Sequence, residues 1–335
     1  MRLLPSPGFI LGANLPWVGY GTDIGASAWY PAGGLSSQPA SLELLDGTFA
    51  TLARDGITLV RTFLLCDLRS GVRFDASGIP TGLDDVVFLD LDALLAIARQ
   101  HHIQLMPVLL DFHLCNFTRI VNGVQLGGRS RLIEDPAARS ALVDLVLRPI
   151  VEQYREEEVI AAWDIMNEPD WCLGIGPRTI DRVTVGALQA FLGQAVECVH
   201  ESSRHPVTIG SAGTFGLDLV RPLGLDVYQV HWYERFGWRA LERPVPDLDL
   251  GDRPVILGSS QAAVRRSRRC STPRSTRAMG ERSCGRSLEA TRRPRIRRTS
   301  WPGRRLTRAR WGTRVLKAVL REWRGSPSGA ALRHE

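Results

Sequence analysis

Ala161-Ala162-Trp163-Asp164-Ile165-Met166-Asn167-Glu168-Pro169-Asp170-Trp171 is the stretch on which the fold turns. With Val159 and Ile160 ahead of it, it opens as a buried strand. It stops at Pro169, because proline has no amide hydrogen with which to continue a ladder. Asn167 and Glu168 therefore stand at the strand's C-terminal end. In a parallel α/β barrel that end is where reactive side chains gather.

The neighbouring segments supply the rest of such a barrel. Apolar runs rich in β-formers read as strands at 8–14, 57–65, 103–110, 206–210, 225–233 and 253–258, with the strand before Asn167 as the fourth. Between them lie helical periods. Leu42, Leu45, Phe49 and Leu52 form one, closed by Gly56; Leu91, Leu94 and Leu95 mark a second over 88–101. A third begins at Asp135-Pro136, an N-cap followed by a proline at the first helical position, and runs through Leu142, Leu145 and Val146 towards Tyr154. A fourth spans 183–202. Residues 19–39 and 123–131 read as loops, the first a long surface loop on the binding face. Seven strands alternating with helices predict parallel βα units and a (βα)8 TIM barrel, incomplete after strand seven.

Size agrees. A barrel takes about 250 residues, and the chain has 335, of which 44% are hydrophobic. The net charge of +7 conceals a seam. Residues 1–258 hold 20 Arg and no Lys against 31 acidic residues, a net of −11; residues 259–335 carry a net of +18. The expected division is a barrel over 1–258 and an Arg-rich tail over 259–335, disordered or out of frame. Six cysteines are scattered without a C-x-x-C pair, so no metal site and no other cofactor is expected. Pro5 and Pro7 interrupt the only candidate for an export signal, and localisation stays open. No run of about 18 apolar residues exists, so no membrane span is expected.

Several polar residues sit where the pattern places the barrel mouth. Arg61 lies inside the second strand, where a buried Arg needs a partner. It either faces water from an edge or orients a carboxylate within the mouth. His113 follows the third strand, as a hydrogen-bonded structural residue or as a catalyst. Trp17 follows the first strand; His231 and Tyr233 end the sixth. Glu168 beside Asn167, with Trp171 near, suits work on a sugar: the acid protonates a glycosidic oxygen, the amide holds a hydroxyl, and an indole covers the ring's apolar face.

Arg61, His113, Asn167-Glu168-Pro169, His231 and Tyr233, in this order and on successive strand ends, resemble the glycoside hydrolase family 5 barrel of cellulases and mannanases in clan A. The resemblance covers about residues 8–258. It implies that Glu168 is the general acid/base of a retaining hydrolase acting on a β-linked glucan or mannan. It also implies that Arg61, His113, Asn167, His231 and Tyr233 line the sugar site. Trp17 and Trp171 are added as aromatic contacts. A retaining enzyme needs a second carboxylate about 5–5.5 Å from the first, with Arg61 favouring its ionised form and Tyr233 donating to it.

The pattern breaks there. The family's nucleophile Glu follows an apolar run and a Gly, but after Pro254-Val-Ile-Leu-Gly258 comes Ser259. A hydroxyl without an adjacent base is a poor nucleophile, so impaired hydrolysis is expected. From the same residue the chain turns Arg-, Ser- and Thr-rich with almost no Lys, as a shifted frame of a GC-rich gene would. Two other readings stand. The barrel binds carbohydrate without cleaving it, on Trp17, Trp29, Tyr30, Trp171, Trp232 and Trp238; or the tail binds nucleic acid through phosphate contacts.

Overall fold

The computed structural model describes residues 10–174, 179–232, 250 and 253–260. Tyr233, Trp238 and the tail from residue 261 onwards, with the expectations resting on them, lie outside the described residues.

Seven strands form one sheet: β1 Gly12–Asn14, β2 Leu59–Phe63, β3 Gln104–Asp111, β4 Trp163–Asn167, β5 Val207–Ser211, β6 Tyr228–Trp232 and β7 Val255–Ser260. Their spatial order is their chain order, and every neighbouring pair is parallel. That singly wound order is the one a (βα)8 barrel uses. Helices α1 Pro39–Arg54, α2 Val86–Gln100, α3 Pro136–Leu142, α4 Arg148–Gln153 and α5 Val185–Ser202 supply the crossovers as far as β5. Between α1 and the sheet Phe49 is wholly buried, between α5 and the sheet Phe191, and Trp163 at the start of β4 is 1% exposed.

No described strand lies between β7 and β1. The two are joined instead at the mouth by a side chain: Asn14 Nδ2 donates to the carbonyl of Gly258 at 2.9 Å. Leu257 on β7 is half exposed, as a strand at the open side of a sheet would be. β7 also runs to Ser260, two residues past the expected boundary at Gly258.

Three expectations need correction. The segment 19–39 is a surface loop only in part: residues 21–25 and 33–35 are buried, Ile24 with no exposure, while Ala28, Pro31 and Ala32 stay exposed. Carboxylates draw it inwards. Asp90 accepts from the amides of Gly25, Gly34 and Ser36 and from the Ser36 hydroxyl, at 2.5 to 2.9 Å. Asp84 holds Ala26 N at 2.8 Å, and Asp23 holds the amides of Val18 and Gly19 at 2.7 and 2.6 Å. Gly34 must be glycine there, since a Cβ would lie 2.0 Å from the Asp23 carbonyl.

Second, the loop over 123–131 contains a strand. Val124–Leu126 pairs antiparallel with Arg119–Val121, and a second small hairpin joins Val72–Phe74 to Pro80–Leu83. Third, the helix over 135–154 is not continuous. Asp135 caps it as expected, accepting from Ala137 N at 2.9 Å. A π turn then occupies Val143–Leu147. Pro149 explains it, because a missing N–H at 149 leaves the carbonyl of residue 145 without its ordinary helical partner. The turn displaces the apolar face: Leu142 and Val146 stay buried, whereas Leu145 is 43% exposed.

Candidate active site

The C-terminal ends of β2 to β6 converge on one polar network, and Arg61 of β2 is its node. The side chain is 4% exposed and its guanidinium stacks 4.8 Å from the Phe63 ring. Its Nε and Nη2 reach Asp164 Oδ2 at 2.9 and 2.8 Å, and Nη2 also donates to Asn167 Oδ1 at 3.0 Å. Of the two readings of Arg61, the water-facing one is excluded. The carboxylate it holds is Asp164 of β4.

From Arg61 one branch runs through Asn167. The Asn167 amide donates to Asp111 Oδ2 at 2.8 Å. Asp111 Oδ1 takes the backbone N–H of His113 at 2.9 Å and a short bond from its ring Nδ1. Burial pushes the Asp111 carboxyl up, but the charge of His113 and these hydrogen bonds outweigh it and leave it below the usual range. Burial pushes His113 down, and Asp111 more than reverses that, so His113 lies above an ordinary histidine. Its Nε2 faces the Tyr20 hydroxyl at 3.5 Å.

The second branch runs through Asp164, which has no exposure. Gln229 Nε2 donates to Asp164 Oδ2 at 2.8 Å and lies 3.3 Å from His231 Nε2. The other nitrogen of His231, Nδ1, meets Glu168 Oε1 at 2.8 Å. Burial holds His231 below an ordinary histidine. Trp171 completes the branch, its indole N–H donating to Glu168 Oε2 at 2.7 Å. Trp171 thus grips the carboxylate by its edge, and its ring lies 6.0 Å from that of Phe215.

Glu168 has a constrained backbone. Its φ of 49° and ψ of 51° are left-handed, a region costly for a residue with a Cβ. The conformation is held by Pro169 on one side and on the other by a 2.6 Å bond from its amide to the Gly210 carbonyl of β5. It turns the side chain out of β4 towards His231. Beside it Asp170 is 1% exposed and accepts the Ala212 amide, at 3.1 Å from each oxygen. Burial, with the nearby Glu168 carboxylate adding to it, pushes Asp170 up to about 7.

The register of β6 and β7 slips between Val230 and His231, so that Gly258 is an extra residue and Ser259 pairs with His231. Position 259 therefore adjoins the histidine that touches Glu168. Trp17 lies behind the network, touching it through its aromatic neighbours. Its ring packs on Tyr20 and Phe63 at 4.5 and 4.8 Å, and its buried indole N–H has no partner among the described residues.

Three further members of the network, Asp111, Asp164 and Gln229, were not expected. A signal existed for each: a charged or amide side chain inside an otherwise apolar strand needs a partner in the barrel. No group of His, Cys, Asp and Glu among the described residues could hold a metal ion.

Comparison with known proteins bears on the fold and on the sequence as a whole. No protein-family profile matches the chain. A mannan endo-1,4-β-mannosidase of Mytilus edulis is 28% identical over 162 residues, which is 48% of this chain and 40% of that protein. One from Cryptopygus antarcticus is 26% identical over 50% of this chain and 40% of its own length. Over about half of its length the chain is similar in sequence to endo-β-mannanases. The stretch it shares with these curated relatives spans about two fifths of their length. The fold is likewise that of solved mannanases: the Eisenia fetida structure superposes with a TM-score of 0.62 over 77% of this chain and 78% of that one, at 20% identity. The Aplysia kurodai structure gives 0.61 over 75% and 79%, also at 20% identity. Mannanase-like chains thus share this (βα)8 architecture, and the family 5 resemblance read from Arg61, His113, Asn167-Glu168 and His231 points the same way. Among the described residues no helix is long and apolar enough to cross a membrane.

Proposed function

We infer that this barrel is built for retaining hydrolysis of a β-1,4-linked mannan, and that the chain as written lacks one of the two carboxylates. Glu168 is the general acid/base. It donates a proton to the glycosidic oxygen as the bond to C1 breaks, and later takes one from the attacking water. Arg61, His113 and Asn167 position the sugar-facing polar groups, His231 and Trp171 hold Glu168, and Tyr233 and Trp17 are assigned to the same sugar site from the family resemblance. Position 259 is the nucleophile's place. A Ser there leaves the covalent route without its carboxylate, and the sequence from residue 259 onwards is read as out of the barrel's own frame, although Ser259 and Ser260 still extend β7.

The observation that carries this reading is the register of β7: Ser259 pairs with His231, and His231 touches Glu168 at 2.8 Å. The test compares the chain as written with Ser259→Glu on β-1,4-mannan, measuring reducing ends and the anomeric form of the first product. Little or no cleavage is expected from the former, and cleavage with retention from the latter. Robust retaining hydrolysis by the unaltered chain would overturn the role given to position 259. A folded Ser259→Glu protein that neither cleaves nor binds manno-oligosaccharide would overturn the whole assignment.

Ser259 also favours a second reading, in which the barrel binds the glycan and leaves it intact. Saturable binding by both proteins with no product from either would support it.

A further inference from the structure

Gln229, the second residue of β6, is 1% exposed, and two glycines make room for it. A Cβ on Gly210 of β5 would lie 2.5 Å from Gln229 Nε2, and one on Gly258 of β7 would lie 2.3 Å from its Cγ and Cδ. Strands on either side thus lack side chains where this amide sits.

Chemistry settles which way round the amide is. Its nitrogen lies 2.8 Å from Asp164 Oδ2. The opposite orientation would set a carbonyl oxygen against a carboxylate that has no exposure. An NH2 group has two hydrogens, and the second points at His231 Nε2, 3.3 Å away. Meanwhile Gln229 Oε1 is buried without a hydrogen-bond partner among the described residues. The amide forgoes a partner for its carbonyl and keeps its nitrogen between two acceptors.

A nitrogen that accepts an N–H cannot carry a proton of its own. We propose that Gln229 is a positioning residue that fixes the tautomer of His231, leaving Nε2 bare and directing the ring's one proton, on Nδ1, at Glu168 Oε1. The 2.8 Å contact between Nδ1 and Glu168 has the matching polarity. Burial, which holds His231 below an ordinary histidine, acts in the same direction.

The consequence concerns proton traffic. His231 is a permanent donor to Glu168 and has no free basic nitrogen, because its bare one is covered by Gln229. It cannot draw off the proton that Glu168 exchanges with a leaving group or water. That exchange is confined to Glu168 and the substrate. This consequence rests on the acid/base role proposed for Glu168; the tautomer does not.

The tautomer can be read without turnover, so a chain that never cleaves glycan still tests the proposal. The protein is labelled with 15N-histidine, and two-bond 1H–15N spectra are recorded from pH 5.5 to 8, with His231 identified by its loss in His231→Gln. A neutral ring protonated at Nδ1, unchanged across the series, is expected. Gln229→Glu keeps the shape but reverses the polarity: its own proton goes to Asp164, and its second oxygen accepts from His231. In that variant Nε2 is expected to appear as a protonated nitrogen. A proton on Nε2 in the unaltered chain, or an unchanged pattern in folded Gln229→Glu, overturns the proposal. Should Gln229→Glu fail to fold, the unaltered chain decides with uniform 15N label: a coupling between Gln229 Nε2 and His231 Nε2 across the hydrogen bond is expected, and its absence overturns the assignment.

Discussion

Asp170→Asn should make the protein more stable, and increasingly so as the pH rises. In the folded chain the Asp170 carboxyl is pushed from 3.8 up to about 7 by burial, with Glu168 adding to it and the Ala212 amide pulling the other way. Between those two values the folded state holds a proton that the unfolded state has released. Stability therefore falls with rising pH across the window from about 4 to 7 and levels off above it. At about 1.36 kcal/mol per unit, the full effect is roughly 4 kcal/mol, with no discount for solvent because the residue is 1% exposed. Asparagine keeps an oxygen for the Ala212 amide and carries no charge at any pH. Urea unfolding of both proteins, followed by tryptophan fluorescence at intervals from pH 4.5 to 8, measures the gap between them. Taking the difference cancels groups common to both, such as Asp23, which burial pushes up to about 6. The gap should widen by about 3 kcal/mol over that range and flatten near pH 8. A gap that stays constant, or narrows as pH rises, would refute the argument that the unrelieved burial of this carboxyl governs its ionisation.

Other outcomes follow from the same network. Gly258→Ala places a methyl 2.3 Å from Gln229; overpacking of this kind costs about 1–3 kcal/mol in urea unfolding, and a cost near zero would mean that the interior is looser than described. Arg61→Met strands a fully buried Asp164 and should cost about 3–5 kcal/mol. Arg73→Met, whose partner Asp85 is exposed, should change stability by about 1 kcal/mol or less. His113 lies above its ordinary value when folded, so its contribution is complete below about pH 6.5 and is lost as pH rises through the folded value. His113→Ala should therefore be more damaging to stability at pH 6 than at pH 9, and the reverse order would contradict the Asp111–His113 pairing.

Much of the architecture was visible in the sequence because parallel strands are buried on both faces and so read as near-continuous apolar runs. The run Leu105–Leu110 within β3 stands out for that reason. The small hairpins did not: Val72–Phe74 and Arg119–Val121 are three residues each, outside the core, with too few positions to show an alternation. The helix from Asp135 was legible at its cap and misread in its middle, because the effect of Pro149 falls on a carbonyl one turn earlier. In the site, side chains at strand ends were found through their spacing. Asp164 and Gln229 were passed over although they break apolar runs just as Arg61 does. The turning of segment 19–39 into the protein depends on Asp90, fifty-four residues beyond Ser36 in the chain, and no local pattern announces a contact of that kind.

That inward-drawn segment also bears on how a ligand would reach the site. Its backbone is held at Val18, Gly19, Gly25, Ala26, Gly34 and Ser36 by three carboxylates, and the Trp29 indole fastens it to the Val121 carbonyl of the hairpin after β3, at 3.0 Å. The ordering entropy of these residues is thus spent during folding, and none is left to be lost on association. A site walled by such a segment is preformed on that side. Its capture rate should scale with ligand concentration and solvent viscosity, without the plateau that a slow opening step imposes.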